Sequence, residues 1–459
     1  MYKYPIFFLL LLWLPVVISA QNQSSPSIID NYVQIGVESN LQLLNDAFDG
    51  EISRSELRSA RGRFLPEISF ESSYTFSDGG RTVDIPTGDL FNPVHHTLNE
   101  LTGEQRFPAN LSNVSEQLLP NDFHDTRLRI VQPLFNTDLY YSYRAQQNLV
   151  SEQEARRQVM VDELTREIKV SYLNYFKATD LLAIHETNRE LFNELIRTTE
   201  SMVRNGMETP DAVLTAEYEL ADVEGRIAEA RRQQSAARTY FNFLLNRNLD
   251  TPIRQDDSYL ARAAGYQDIP ALQEEALMSR PEFDQISHGI RATENHLKLN
   301  RANTLPDLFV VGDYGYQGTQ YKFNSDQQYW SVQFGLRWSL FEGFRNRERI
   351  QQSHIELRKL DNQFTELEQQ IRLRVMDAWH AWSAAETKLE AAESGLEAAE
   401  AGFEITRRKY EENRVLLVQY LRAQDNYTRA RLQVAIARYD LKSKEADLER
   451  ETGRSFTNN

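Results

Sequence analysis

The chain has 459 residues, a formal net charge of −16 and no cysteine. Without cysteines it has no disulfides and no thiolate metal sites. The acidic balance argues against nucleic acid as a partner.

The first twenty residues, Met1 to Ala20, read as a secretory signal. Lys3 supplies the positive start, Ile6 to Val17 the apolar core, and Ile18-Ser19-Ala20 the small-residue cleavage site. That apolar run is well short of the ~20 residues a membrane helix needs, and no later stretch is long and apolar enough to be one. Residue 21 is Gln, so nothing suggests a lipid-anchored N-terminus.

After the signal, 27–63 reads as a helical lead into a strand at about 67–76. There Ile68, Phe70, Ser72, Tyr74 and Phe76 alternate with Glu67, Ser69, Glu71, Ser73 and Thr75. The segment 77–123 is rich in Asn, Pro, Gly and Thr and reads as a long surface loop. A second, weaker strand is predicted at about 124–135, with Leu128 and Ile130 set against Asp125, Arg127 and Arg129.

From Asn136 to Asn205 there is neither glycine nor proline. A stripe through Val161, Leu164, Ile168, Ser171, Tyr175, Ala178 and Leu182 steps by three and four, as a long helix packed on other helices requires. Asn205-Gly206 is a helix stop, and Pro210 opens the return helix. That helix repeats the stripe at Val213, Ala216, Leu220, Val223, Ile227 and Ala230. One long antiparallel hairpin, about 137–247, is therefore expected.

After a linker at 249–268 the plan repeats. A helical lead enters a strand at about 307–316, where Leu308, Val310, Gly312, Tyr314 and Tyr316 alternate with Phe309, Val311 and Asp313. A strand at about 329–341 follows, where Trp330, Val332, Phe334, Leu336, Trp338 and Leu340 alternate with Ser331, Gln333, Gly335, Arg337 and Ser339. A second hairpin, about 344–449, carries its stripe from Leu360 through Ile371, Val375 and Trp382 to Phe403, with a step close to the 3.6 of a straight helix. Residues 450–459 read as a frayed tail.

The repetition is a tandem duplication. Arg61 to Ile68 matches Arg301 to Leu308 at an offset of 240, and Pro133-Leu134-Phe135 matches Ser339-Leu340-Phe341 at 206. The first copy, 21–248, therefore carries 34 residues that the second, 269–449, lacks, and they fall between its two strands.

Each strand has about the 9–11 residues that a tilted membrane strand needs. Alternation alone does not separate such a strand from a hairpin on a soluble core. The tryptophans bracketing 330–338 favour the membrane, as interface girdles do. Phe70, Tyr74, Val310, Tyr314, Trp330, Val332, Phe334, Leu336 and Trp338 are then expected to face lipid, and Glu71, Asp313, Gln333 and Arg337 the lumen. Four strands cannot close a barrel in lipid, so several chains must share one.

The residues Phe64-Leu65-Pro66-Glu67-Ile68, Leu305-Pro306-Asp307-Leu308, Pro133-Leu134-Phe135, Leu340-Phe341-Glu342-Gly343, Arg280-Pro281-Glu282-Phe283 and Val213-Leu214-x-Ala216, in duplicate order, resemble the TolC family of bacterial outer-membrane efflux proteins. The resemblance implies a mainly α-helical chain with a membrane β-barrel. It implies a homotrimer, with a twelve-stranded barrel in outer-membrane lipid and a twelve-helix tunnel in the periplasm. It also implies a passive exit duct that docks a periplasmic adaptor and an inner-membrane pump.

The hairpin tips carry over the docking and aperture positions: Gly206, Met207, Glu208, Asp211, Val213, Leu214 and Ala216 on the first, and Asn413, Val415, Leu416, Leu417, Tyr420, Leu421 and Ala423 on the second. Asn413 departs from the usual glycine. Gln419 and Arg422 stand where some members have aspartates, leaving Glu208 and Asp211 as the candidate acids of the aperture. The apolar run Val415 to Val418 at a helix turn suggests a surface that a partner covers.

No catalytic pattern emerges. The eight histidines form no H-E-x-x-H pair, and no phosphate-binding glycine loop appears. His95-His96 sits in the long loop, and no cofactor or metal is expected. An adaptor-like periplasmic coiled-coil protein and an exported soluble protein are the alternative readings.

Overall fold

The computed structural model describes residues 27–118, 122–261, 265, 266 and 268–454. The signal at 1–20 lies outside the described residues, as do 455–459 of the tail. In chain order the elements are α1 (Ile28–Ser39), α2 (Leu41–Gly62), β1 (Glu67–Phe76), β2 (Thr82–Ile85), α3 (Thr87–Thr102), β3 (Val114–Gln117), β4 (Asp122–Phe135), α4 (Thr137–Arg204), α5 (Pro210–Leu244), α6 (Asp257–Ala261), α7 (Ile269–Ser279), α8 (Pro281–Ala302), β5 (Asp307–Thr319), β6 (Gln328–Arg337), α9 (Arg345–Glu411) and α10 (Leu417–Thr452). With 68 residues, α4 is about 100 Å long at ~1.5 Å per residue. Among the described residues no helix is long and apolar enough to cross a membrane.

The chain divides into two compact units that cut across the duplication. Among the described residues, one runs over 27–44, 161–273 and 375–454, the other over 45–160 and 274–374.

The first unit is helical. Its aromatic centre is Tyr172 of α4, with the Tyr32 ring 6.1 Å and the Phe241 ring 5.8 Å away. Burying a tyrosine requires a partner for its hydroxyl. Tyr172 donates to the Arg254 carbonyl at 3.1 Å and accepts from the Asp256 N–H at 2.6 Å, which ties 249–268 to α4. That linker also holds the short α6. Lower on α4, Asn188 Oδ1 accepts from Gln424 Nε2 at 3.0 Å and Thr428 Oγ1 at 3.1 Å, a buried polar contact that joins the two hairpins.

The second unit is built on a four-stranded antiparallel sheet in the order β1-β4-β5-β6. Among the described residues no further strand pairs with its edges, β1 and β6. The duplication is visible in the register. Adding 240 to each β1 position and 206 to each β4 position turns Glu67↔Val131 into Asp307↔Arg337, which is the pairing observed between β5 and β6.

Two expectations need correction. The strand expected at 329–341 ends at Arg337, so Trp338 to Phe341 lie beyond it. The stretch 77–123, read as a loop, contains β2, α3 and β3, and β2 pairs with β3. Its asparagines act as staples. Asn99 bonds the Phe107 carbonyl at 2.7 Å and its N–H at 2.9 Å, while Asn92 bonds both backbone groups of Leu111 at 2.8 Å. Asn113 Oδ1 accepts from the N–H groups of Gly88 and Asp89 at the start of α3. Side-chain amides thus do the work a ladder would otherwise do.

Candidate functional site

Two places concentrate the residues singled out in the sequence: the turns of the two hairpins and the two faces of the sheet.

At the first turn, α4 ends in a Schellman arrangement. Gly206 is left-handed at φ 71°. Its N–H returns to the Val203 carbonyl at 3.0 Å, and the Met207 N–H to the Met202 carbonyl at 2.9 Å. Pro210 then sits in the first turn of α5, where a missing N–H costs nothing.

The second turn repeats this geometry without glycine. Asn413 is left-handed at φ 53°. Its N–H reaches the Tyr410 carbonyl at 2.8 Å, and the Arg414 N–H reaches Lys409 at 2.7 Å. Asparagine tolerates that conformation better than other side chains do. Gln419 Oε1 then accepts from the Leu416 N–H at 3.3 Å, closing the start of α10.

Burial sorts the tip residues. Leu417 and Tyr420 lie in the helical core with Met202, Ala212, Ala216, Phe403 and Tyr410, and Val415 and Leu421 pack partly against it. The run Val415 to Val418 is therefore not a continuous exposed patch. Leu416 and Val418 point out, and Leu417 points in, because one turn of helix sends successive side chains to different sides.

Beneath the turn, Tyr410 OH and Thr199 Oγ1 are 2.9 Å apart in the interior. Burial raises the Tyr410 phenol above its ordinary value, against the opposing hydrogen bond to Thr199, and burial raises Tyr420 further. Both stay neutral and serve as packing.

On the first tip, Asp211 is exposed in the first turn of α5 and Glu208 is half-buried. Asp211 complements the positive end of the helix dipole. Met207 and Leu214 are exposed, Val213 is half-buried, and Tyr218 is exposed one turn beyond Leu214. Tyr218 went unnoticed in the sequence. Its spacing of four from Leu214, off the Val213–Ala216 stripe, was the available signal.

The sheet has two unlike faces. One carries Phe70, Leu128, Tyr314 and Trp330 in a row across the strands, with Ile130 and Val332 in the next. Val310, Phe334 and Leu336 continue this face, while Trp338 lies just past the end of β6 and donates Nε1–H to the Thr304 carbonyl at 2.9 Å. Trp330 and Phe334 are 76% and 77% exposed, and with Phe70 and Leu336 they form an apolar surface of the kind that marks a membrane or partner contact. Toward the β5–β6 turn this face is covered. Tyr321 packs at a tilt against Tyr74 and His124, its hydroxyl lies 3.3 Å from Ser72 Oγ, and Phe323 packs on Tyr316. Tyr74 is thus partly roofed.

The opposite face holds a belt of ion pairs. Arg127 bonds Glu71 and Asp125 at 2.8 and 2.7 Å, and Arg129 bonds Asp313 at 2.8 Å. Gln333 and Arg337 share this face, and the Arg337 guanidinium lies 5.6 Å from the centre of the Phe309 ring.

Neither place has the makings of a reaction centre. Among the described residues no group of three or more His, Asp or Glu side chains could hold a metal. His95 packs between Phe91 and Phe107, with Nδ1 2.7 Å from the Pro108 carbonyl, as part of the insertion's own core.

Residues 272–454 match the family described as outer membrane efflux protein. None of the curated proteins compared with the chain matches it. Among solved structures, the chain is similar to the outer-membrane channel OprN at 17% identity, covering 93% of this chain and 90% of that one with a TM-score of 0.75. It is similar to the CmeC outer membrane channel of Campylobacter jejuni at 13% identity, covering 94% and 86% with a TM-score of 0.75. It is also similar to the open state of the MtrE outer membrane channel of Neisseria gonorrhoeae at 17% identity, covering 93% and 89% with a TM-score of 0.71. The fold is that of an outer-membrane channel subunit.

Proposed function

We propose that this chain, with the outer membrane efflux family's pattern in its second copy, is the outer-membrane exit duct of an export system. It is a conduit and not an enzyme. Three copies share a twelve-stranded barrel in the outer membrane and a twelve-helix tunnel in the periplasm. The hairpin tips meet a periplasmic adaptor that is coupled to an inner-membrane pump.

One observation carries the reading: a four-stranded antiparallel sheet, apolar on one face and ionic on the other, with both edges left open by the described residues of the chain. In water the apolar face would drive aggregation. In lipid the edges would leave backbone groups unbonded unless neighbouring copies complete them. A shared barrel resolves both. The helices fit the same plan, because polar residues on both long hairpins leave them water-exposed outside the bilayer.

At the tips the docking surface reduces to the exposed set Met207, Leu214, Tyr218, Leu416 and Val418. Leu417 and Tyr420 support it from beneath. Glu208 and Asp211 are the acids that would bias the aperture toward cations.

The test is genetic and cellular. The protein should fractionate with the outer membrane, and its deletion should make cells retain an exported compound or protein. Recovery in the soluble periplasm, with export intact in the deletion strain, contradicts the proposal.

A further inference from the structure

The duplication, read together with the strand register, points to the way one copy of this chain joins the next. It rests on the shared-barrel reading and specifies its interface.

The register within each copy is the same, since β1–β4 maps onto β5–β6 under the two sequence offsets. The junction between copies within the chain is β4–β5, where Arg127↔Gly315, Leu128↔Tyr314, Val131↔Val311 and Gln132↔Val310 pair, with a bulge between Pro133 and Phe135. A closed ring of equivalent repeats needs a second junction, from β6 of one molecule to β1 of another. Moving β4 to its β6 counterpart and β5 to its β1 counterpart carries this junction across the molecular boundary.

We infer that Gln333 pairs with the neighbouring copy's Thr75, Phe334 with Tyr74, Arg337 with Glu71 and Trp338 with Phe70. The bulge falls at Ser339–Phe341, opposite Ser69 and Ile68 of the neighbour.

Three features fit. First, the map preserves faces. Phe334 and Tyr74 both lie on the apolar face, while Arg337 and Glu71 both lie on the ionic one. Second, the charges are complementary. Arg337 makes no ion pair with a described residue and rests near the Phe309 ring, while Glu71 lies on the free edge strand with its side chain 42% exposed despite its arginine contacts. Opposite charges placed directly across a strand pair stabilise it.

Third, the junction explains where β6 stops. β4 spans Asp122–Phe135, and adding 206 gives 328–341, yet β6 ends at Arg337. In β4, the residues past Val131 pair with β5 and not with β1, whose last partner is Val131. The corresponding residues of β6, Trp338 to Phe341, have β1 of another copy as their only counterpart. Pairing with it should extend β6 to the full length.

Because the chain contains no cysteine, the register can be read by disulfide trapping. The double variants Gln333→Cys with Thr75→Cys and Phe334→Cys with Tyr74→Cys lie on adjacent rows. Antiparallel rows alternate between wider and closer pairs, so one of the two has the closer geometry. Under mild oxidation that variant should form covalently linked dimers and trimers. Gln333→Cys with Ser73→Cys, shifted by two residues along β1 so that the face is kept, should link much less.

Stronger linking of the shifted pair, or no linking in either designed pair from a particle of trimeric native mass, overturns the register while leaving the shared barrel standing. A folded, membrane-inserted monomer overturns both.

Discussion

The two hairpin tips are built on one backbone plan and present different chemistry. Gly206 and Asn413 close their helices with the same pair of returning hydrogen bonds. Aligned on those residues, Glu208 corresponds to Val415, Thr209 to Leu416, Pro210 to Leu417 and Asp211 to Val418. One tip is acidic and stiffened by proline. The other is apolar and anchored by a leucine driven into the core. Duplication kept what the backbone needs and released what the surface shows, so one chain presents two chemically different tips.

The largest expected effect tests the anchor. Leu417→Ala removes a side chain that is only 8% exposed, and such truncations cost roughly 2–5 kcal/mol. The counterpart Pro210→Ala should cost no more than about 1 kcal/mol. Denaturant unfolding with limited proteolysis at the tips compares them. Equal losses would erase the asymmetry.

Next come the left-handed residues. Gly206→Ala places a Cβ at φ 71° and should cost about 1–2 kcal/mol. Asn413→Gly should be neutral within about 0.5 kcal/mol, because glycine meets no steric penalty at that conformation. A strongly destabilised Asn413→Gly would mean that the amide does more than adopt the turn.

Leu416→Ser with Val418→Ser should leave stability within about 0.5 kcal/mol of the parent, since both side chains are exposed. Export should fall to background with the protein still in the outer membrane. Normal export by that variant removes the apolar tip from the docking surface.

The smallest structural effect belongs to Glu208→Gln with Asp211→Asn. Folding should be unchanged and cation preference in planar bilayers reduced. Unchanged ion preference would move the aperture's selectivity elsewhere.

Much of this was legible in sequence because it is periodic. The run free of glycine and proline gave α4, and the alternation through Phe70 and Tyr74 placed β1 at Glu67–Phe76. The departures share a cause: they depend on partners distant in sequence. Trp338 to Phe341 have strand-like composition, but a strand exists by pairing, and β6 has no neighbour on that side within one chain. The insertion's asparagines suggest a loop until Asn92, Asn99 and Asn113 are seen bonded to backbone up to 25 residues away. Leu417 looked like part of an exposed run because sequence does not show that it shares one buried core with Tyr410 and Tyr420.

The proposed duct requires a continuous aqueous path through a membrane. Purified protein reconstituted into planar bilayers measures it directly. Discrete, long-lived conductance steps are expected from a trimeric particle, with an ion preference that shifts when Glu208 and Asp211 lose their charge. A correctly inserted trimer that passes no current under any applied voltage, with the tips intact or removed, would contradict it.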